Sequence, residues 1–564
     1  MLRRWQSNAF LILVTSSLTA VACGDDDDSG AGTGGKTASG GNAGGTAKGG
    51  TAGANQGGTK STAGGSGGST NQGGSQNKGG SIANEAGSAG FAGGIGTGGS
   101  NGSEGGAAGA GGSGGDGDAG AGGEGGGSAS LDLCRGIELP PGSHYVAPGL
   151  CVRAVATAQG KLRQLTFDSQ GSLLGVTVAG DVMRYRDLNA DGVFAGVAEV
   201  VKIADTGGNG NNVHLDAAGN YLYAGTPAGV RRWAYSMTVD DLGAGEDVVT
   251  GIPATGNHTY HTVHVYDGYV YVSSGSAENA SAPATPNYDT NRSVLKRFAL
   301  ADFTSGTPLA WTAGAVYVTG IRNMVGFTRN ASGRMYGVVN GIDDLLYQTQ
   351  DVHLDNPGED LIAIEAGQAH GYPYCFTASH IVTNSVVVNP GSQLAGSTAT
   401  FSNPRSNEWC AENSVPPVTF LPPHSAPLDL TFFDGNLPSG GLPEGFRGGA
   451  FVALHGSWNT TPSVGHQIVF VPFDSAGNAP KPVATLAGTI FPFTVVFGGG
   501  NPAAPAAGIW GWQKGAYGET PVRFVGVAIS PVDGALYVSS DNASVLNGTP
   551  GSNQGYIYRI AMQR

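Results

Sequence analysis

Leu215-Asp216-Ala217-Ala218-Gly219-Asn220-Tyr221-Leu222-Tyr223 reads as a short apolar strand, a tight turn and an alternating strand with aromatics. Gly and Asn accept a sharp reversal at little steric cost, and the Tyr-Leu-Tyr alternation suits a half-buried strand. The same unit returns at 165–174, 266–272, 326–336, 448–452 and 529–538. The six copies are spaced by about 50 residues, with a wider interval before the fifth, which is the length of a four-stranded blade. Helical periodicity is nearly absent. The pattern predicts an all-β fold, a six-bladed β-propeller over 131–564. A two-sheet sandwich uses similar strands but does not repeat at this length.

The rest of the chain is of another kind. Of 564 residues 99 are Gly, charged residues are only 12%, and the formal net charge is −14. That acidic balance argues against nucleic acid and anionic lipid surfaces as partners. From 24 to about 130 the chain is Gly, Ala, Ser, Thr and Asn with scattered charges, too poor in apolar residues to offset its ordering entropy. A disordered Gly-rich linker over 23–130 is expected. Ahead of it, Arg3 and Arg4 precede a short apolar run, and Ala20-Val21-Ala22 precedes Cys23. This reads as a signal peptide over 1–22, with Cys23 in the lipidated position of a bacterial lipobox, although Ala20 stands where Leu is usual. The expectation is a periplasmic or cell-surface protein that touches a bacterial membrane only through its lipid anchor.

Four cysteines fall in the propeller region: Cys134, Cys151, Cys375 and Cys410. An even number in an oxidising compartment suggests disulfides; three pairings are possible, and Cys134–Cys151 with Cys375–Cys410 is the sequence-local one. Asp187-Leu188-Asn189-Ala190-Asp191-Gly192 places oxygens at alternate positions ahead of a turn glycine, like the opening of a calcium loop, with Glu199 one residue past the usual closing acid. Calcium at Asp187, Asn189 and Asp191 is expected. His258, His261 and His264 lie close in sequence, but strand alternation would put His261 on the face opposite the other two, so no three-ligand site is expected.

Taken in order, several segments resemble the pyrroloquinoline-quinone-dependent soluble glucose and sorbosone dehydrogenases, the sorbosone branch above all. They are His258 with Ser273-Ser274-Gly275-Ser276, Gly320-Ile321-Arg322-Asn323-Met324-Val325-Gly326-Phe327, and Glu365-Ala366-Gly367-Gln368-Ala369-His370-Gly371-Tyr372-Pro373. His424-Ser425-Ala426-Pro427, His455-Gly456-Ser457-Trp458-Asn459 and Arg523-Phe524-Val525-Gly526 follow. The resemblance spans nearly all of 160–564 and implies a six-bladed propeller holding pyrroloquinoline quinone and calcium. It implies His258 as catalytic base and Arg322 as the cation beside the quinone oxygen. Asn323, His424, His455, Trp458 and Arg523 are implied as cofactor contacts, and the segment at Leu354 and Asp355 as the place of a quinone-bridging calcium. Ser276 stands where the glucose branch has Asp, Tyr372 where Trp is usual, and Thr460 and Val525 where Arg is common, so fewer cations face a trianionic cofactor.

A neutral imidazole suits removal of a hydroxyl proton while hydride leaves carbon. The implied function is an exported quinoprotein that oxidises an aldose or related sugar hydroxyl by hydride transfer to the quinone, with a respiratory electron acceptor downstream. The alternative is a non-enzymatic cell-surface propeller that binds carbohydrate or protein on the same scaffold.

Overall fold

The computed structural model describes residues 133–541, apart from 140, 142–143, 158–159, 284–286, 384–385, 435–436, 461–462, 487 and 500–521, together with 555–563. The expected signal peptide, Cys23 and the Gly-rich linker lie outside the described residues.

Six sheets, antiparallel but for one short parallel edge strand in each of two, form the blades of a propeller. Each opens with a hairpin that carries one of the repeats. These are Leu162–Phe167 with Leu173–Thr177 in blade 1, Val213–Leu215 with Tyr221–Thr226 in blade 2, and Val263–Tyr266 with Tyr269–Ser274 in blade 3. Asn323–Arg329 with Met335–Asn340 opens blade 4, Pro427–Phe432 with Ala450–Leu454 blade 5, and Phe524–Ile529 with Leu536–Ser540 blade 6. The turns follow the sequence logic: in blade 1 the Asp168 carboxylate accepts the N–H groups of Gln170 at 3.0 Å and Ser172 at 2.8 Å.

Middle strands are covered on both faces by neighbouring blades, so Ala450–Leu454 and Gln467–Val471 are buried at every position. Outer strands such as Glu246–Thr250 are only partly covered and carry charge. Two glycines from the quoted motifs serve this packing. A Cβ on Gly326 would lie 2.6 Å from the Asp429 backbone, and one on Gly526 would lie 2.6 Å from Gln164 Cα, so the innermost strands approach only because these positions lack side chains.

The ring is closed by the N-terminal part of the domain. Leu150–Ala156 pairs antiparallel with Tyr556–Met562, Val152 opposite Ile560, and supplies the fourth strand of blade 6. The Cys134–Cys151 disulfide ties the preceding segment to this strand. Cys375–Cys410 is also formed, so both bonds follow the sequence-local pairing. The second bond lies in the long interval before blade 5. There the chain adds small two-stranded ribbons and the helix Asn407–Asn413, N-capped by the Ser406 hydroxyl, which accepts from Trp409 N–H.

With its cysteines 17 positions apart, the first disulfide restrains the strand that closes the ring. Cys134→Ser with Cys151→Ser is expected to lower the unfolding free energy by ~2–4 kcal/mol, measured by denaturant unfolding. An unchanged midpoint would show that strand pairing alone seats Leu150–Ala156.

Candidate active site

The central channel is interrupted partway. Gln164 Nε2 donates to the carbonyls of Val325 at 2.8 Å and Leu428 at 2.9 Å, while Val325, Leu428 and Val525 form an apolar cluster beside it. At one end of the propeller lies a cavity enclosing about 720 Å³, its open mouth included. It is lined where innermost strands begin and second strands end.

His258, Arg322, Asn323, His424, His455, Trp458 and Arg523 all line this one cavity, although they are drawn from segments across blades 3 to 6. Leu354 and Asp355 do not line it. Both are exposed, in a short 3-10 turn at His353–Asp355, and only the His353 carbonyl reaches the cavity wall, where it meets His424 Nε2. A quinone-bridging calcium at this segment would rely on backbone carbonyls, since neither of these two residues lines the cavity. The three neighbouring histidines also part company, but for a reason other than alternation. The strand runs only over Val263–Tyr266, so His258 and His261 sit in the loop before it. His258 faces the cavity, His261 is buried, and His264 lines the opposite mouth of the channel.

His258 is held from behind. Its Nδ1 lies 2.8 Å from Ser276 Oγ, whose own hydrogen goes to the Glu278 carbonyl at 2.7 Å. Ser276 is thereby the acceptor, Nδ1 carries the proton, and Nε2 is the basic nitrogen. Ser276 thus does, as a neutral group, the orienting that a carboxylate could do. Its N–H also donates to the Arg322 carbonyl at 2.8 Å, which links the base to the neighbouring cation.

The Arg322 guanidinium is 3% exposed and fixed on three sides, by the Asn279 carbonyl at 3.0 Å, Asn279 Oδ1 at 2.9 Å and Asp343 Oδ2 at 2.8 Å. Asp343 also accepts from Asn459 Nδ2 at 3.3 Å. Asn323 donates to Asn340 Oδ1 at 2.9 Å, and Asn340 in turn to the Pro427 carbonyl. His455 uses both ring nitrogens within the wall, Nε2 toward Asp541 at 3.2 Å and Nδ1 toward Arg523 at 3.3 Å, so it serves as a strut. Burial is the main reason the His424 imidazole is held below its usual range.

Glu359, Asp343, Asn340 and Tyr260 also line the cavity and belong to none of the quoted motifs. Burial pushes the Glu359 carboxyl up to about 8, an effect that the Gly341 N–H at 2.8 Å offsets only in part and that Asp343 reinforces. Glu359 is therefore uncharged near neutral pH. Arg322 is paired with Asp343, and Arg523 lies against His455, amid amide and imidazole groups. That donor-rich, net-cationic lining fits a planar anion such as a tricarboxylate quinone.

Asp187, Asn189 and Asp191 lie in the blade 1 hairpin after Asp181–Tyr185, away from the cavity. Among the described residues no group of three or more His, Cys, Asp or Glu side chains is gathered to hold a metal. Within the loop Asp187 Oδ2 accepts from Gly192 N–H, and Asp191 N–H donates to Asn189 Oδ1. Asp187 Oδ1 is buried and makes no hydrogen bond.

A family model described as TrAA12-like matches residues 144–546. The chain belongs to the TrAA12-like family. Among curated relatives of this TrAA12-like chain, the pyrroloquinoline quinone-dependent pyranose dehydrogenase of Coprinopsis cinerea is 29% identical over 377 residues, 64% of this chain and 49% of that protein. The matched stretch thus spans about half of that relative. The pyrroloquinoline quinone-dependent sugar dehydrogenase of Hypocrea jecorina is 29% identical over 328 residues, 54% of this chain and 74% of that protein. The holo form of the quinone domain of the C. cinerea pyranose dehydrogenase superposes with a TM-score of 0.60 at 25% identity, over 76% of this chain and 99% of that one. The Trichoderma reesei family AA12 structure, at 23% identity and a TM-score of 0.58, covers 76% and 99% and shares the fold.

The raised Glu359 pKa has a definite sign in stability. A carboxyl raised in the folded state contributes stability that is present below its unfolded pKa and lost as pH rises through its folded value. The contribution of Glu359 should fall between about pH 5 and pH 9, by about 1.4 kcal/mol for each unit of raised pKa. Asp360 and Asp429, pushed up to about 7 and about 8 by burial, act in the same direction. Glu359→Gln should lose less over that window in denaturant titrations. Parallel pH profiles would show that Glu359 is ionised in the folded protein.

Proposed function

We propose that this chain is an exported pyrroloquinoline-quinone-dependent dehydrogenase that oxidises an aldose or related sugar hydroxyl. The observation that carries the reading is the convergence of His258, Arg322, Asn323, His424, Trp458 and Arg523 on one donor-rich cavity, in a chain of the TrAA12-like family. The C. cinerea and H. jecorina relatives, a pyranose dehydrogenase and a sugar dehydrogenase, support the same substrate class.

When bound, the quinone supplies an acceptor for the hydride lost from the sugar carbon. His258 Nε2 takes the hydroxyl proton, with Ser276 keeping the imidazole in the required tautomer. Arg322, fixed by Asp343 and Asn279, presents positive charge where negative charge develops, and needs no reorganisation to do so. Arg523 and the amides of Asn323 and Asn459 would hold the carboxylates and carbonyls of the cofactor. Calcium belongs to this reading at the Asp187 loop, where the buried Oδ1 of Asp187 has no hydrogen-bond partner. Export and lipidation at Cys23 complete it, with a respiratory acceptor taking the electrons.

Two substitutions separate the roles. His258→Ala should lower turnover by ~10²–10⁴-fold while leaving quinone affinity, read from its absorbance, within about twofold. Arg322→Ala should weaken both. Near-normal turnover of His258→Ala in a quinone-loaded protein would remove the imidazole from the mechanism.

A further inference from the structure

Behind the cationic wall of the cavity stands a buried carboxylate, Asp541, that none of the sequence motifs includes. Arg163 lies on the innermost strand of blade 1, and His455 follows the second strand of blade 5. Arg523 precedes the innermost strand of blade 6, and Asp541 follows the second strand of that blade. Propeller topology brings these strand ends to one rim. Asp541 stands between the other three. Its Oδ2 is 3.2 Å from Arg163 Nη1, and both its oxygens are 3.2 Å from His455 Nε2. His455 Nδ1 is 3.3 Å from Arg523 Nη1, which also donates to the Gly456 carbonyl at 3.2 Å. The Asp541 N–H donates to the Arg523 carbonyl, so the two ends of the relay share a backbone link.

The chemistry of the donors decides the tautomer. A guanidinium only donates, so His455 Nδ1 must accept and the ring proton must sit on Nε2, facing Asp541. The other tautomer would set N–H against N–H at Arg523 and a lone pair against a carboxylate at Asp541. His455 and Asp541 are 7% and 6% exposed, so water competes little for either. Burial alone would raise the Asp541 carboxyl, but His455, Arg163 and Arg523 outweigh it and hold the group below the usual carboxylate range. Arg163 is steadied by Asn211 Oδ1 at 3.1 Å and lies 4.6 Å over the ring of Tyr260, which lines the cavity beside His258.

We infer that Asp541 is a positioning residue: by accepting a hydrogen bond from His455 Nε2–H it keeps Nδ1 unprotonated, and through that nitrogen it aims Arg523 at an anionic group in the cavity. The identity of that group as a quinone carboxylate rests on the proposed function; the tautomer and the aim of Arg523 do not.

Side-chain ¹⁵N NMR of the apo-protein tells protonated Nε2 from protonated Nδ1, and quinone affinity and thermal unfolding are measured on the same samples. Wild type should show protonated Nε2. Asp541→Asn should populate the Nδ1–H form and weaken quinone binding by about 10-fold, the scale of losing one charge-assisted contact. If Asp541→Asn fails to fold, the His455 variants carry the test. His455→Gln can donate to Asp541 and accept from Arg523, so it should stay within about threefold of wild type, whereas His455→Leu should match the tenfold loss. Protonated Nδ1 in wild type, or Asp541→Asn and His455→Leu binding within twofold of wild type, would overturn the inference. A wild type with protonated Nε2 that binds no quinone would sink the cofactor reading alone; the same ranking of variants is then expected with citrate as the anionic probe, and equal citrate affinities would overturn the positioning role.

Discussion

The pairing of Leu150–Ala156 with Tyr556–Met562 is the contact on which the rest of the molecule depends. A propeller has no stable partial form in which its cavity exists, because the lining comes from the rims of several blades. Closing the ring with a strand from the opposite end of the domain fixes the angular spacing of the blades and so the distances across the cavity. Gly326 and Gly526 set the radius, since any side chain there would push the innermost strands apart. Gln164, reaching across the axis to Val325 and Leu428, locks blades 1, 4 and 5 at that radius.

Within this frame the cavity is built to present positive charge without mobile side chains. Arg322 and Arg523 are each held by several acceptors, and long cationic side chains held in this way need little further ordering when an anion arrives. The acids are handled in two ways. Asp343 and Asp541 act as clamps on guanidiniums, while Glu359 is buried and uncharged near neutral pH. Buried pairs of this kind add little net stability, yet losing one partner costs about 3–5 kcal/mol, so the arrangement specifies geometry more than it stabilises the fold.

Much of this was legible in the sequence, for a local reason. Five of the six inner hairpins are coded by their own turn and alternation, as in Asp168 to Ser172; in blade 5 the repeat marks only the second strand, Ala450–Leu454, and a long connection over 433–449 separates it from Pro427–Phe432. The wide interval before the fifth repeat is an insertion with its own disulfide. Residues inside ordered motifs, such as His258, Arg322 and Arg523, could be picked out. Asp343, Glu359, Asp541 and Arg163 could not, because topology alone brings them to the cavity and nothing in their neighbours announces it. Alternation misled at 258–264, where most of the segment is loop, and Leu354 and Asp355 were placed by resemblance at a position that the fold leaves exposed.

The proposed quinone site at the rim of blades 3 to 6 can be tested by titrating the purified apo-protein with pyrroloquinoline quinone in the presence of calcium, followed by dye reduction with pyranoses. Saturation at one quinone per chain is expected, with micromolar or tighter affinity, and dye reduction that depends on both quinone and sugar. Absence of saturable binding, or binding without sugar-dependent reduction for any pyranose, would contradict the proposal.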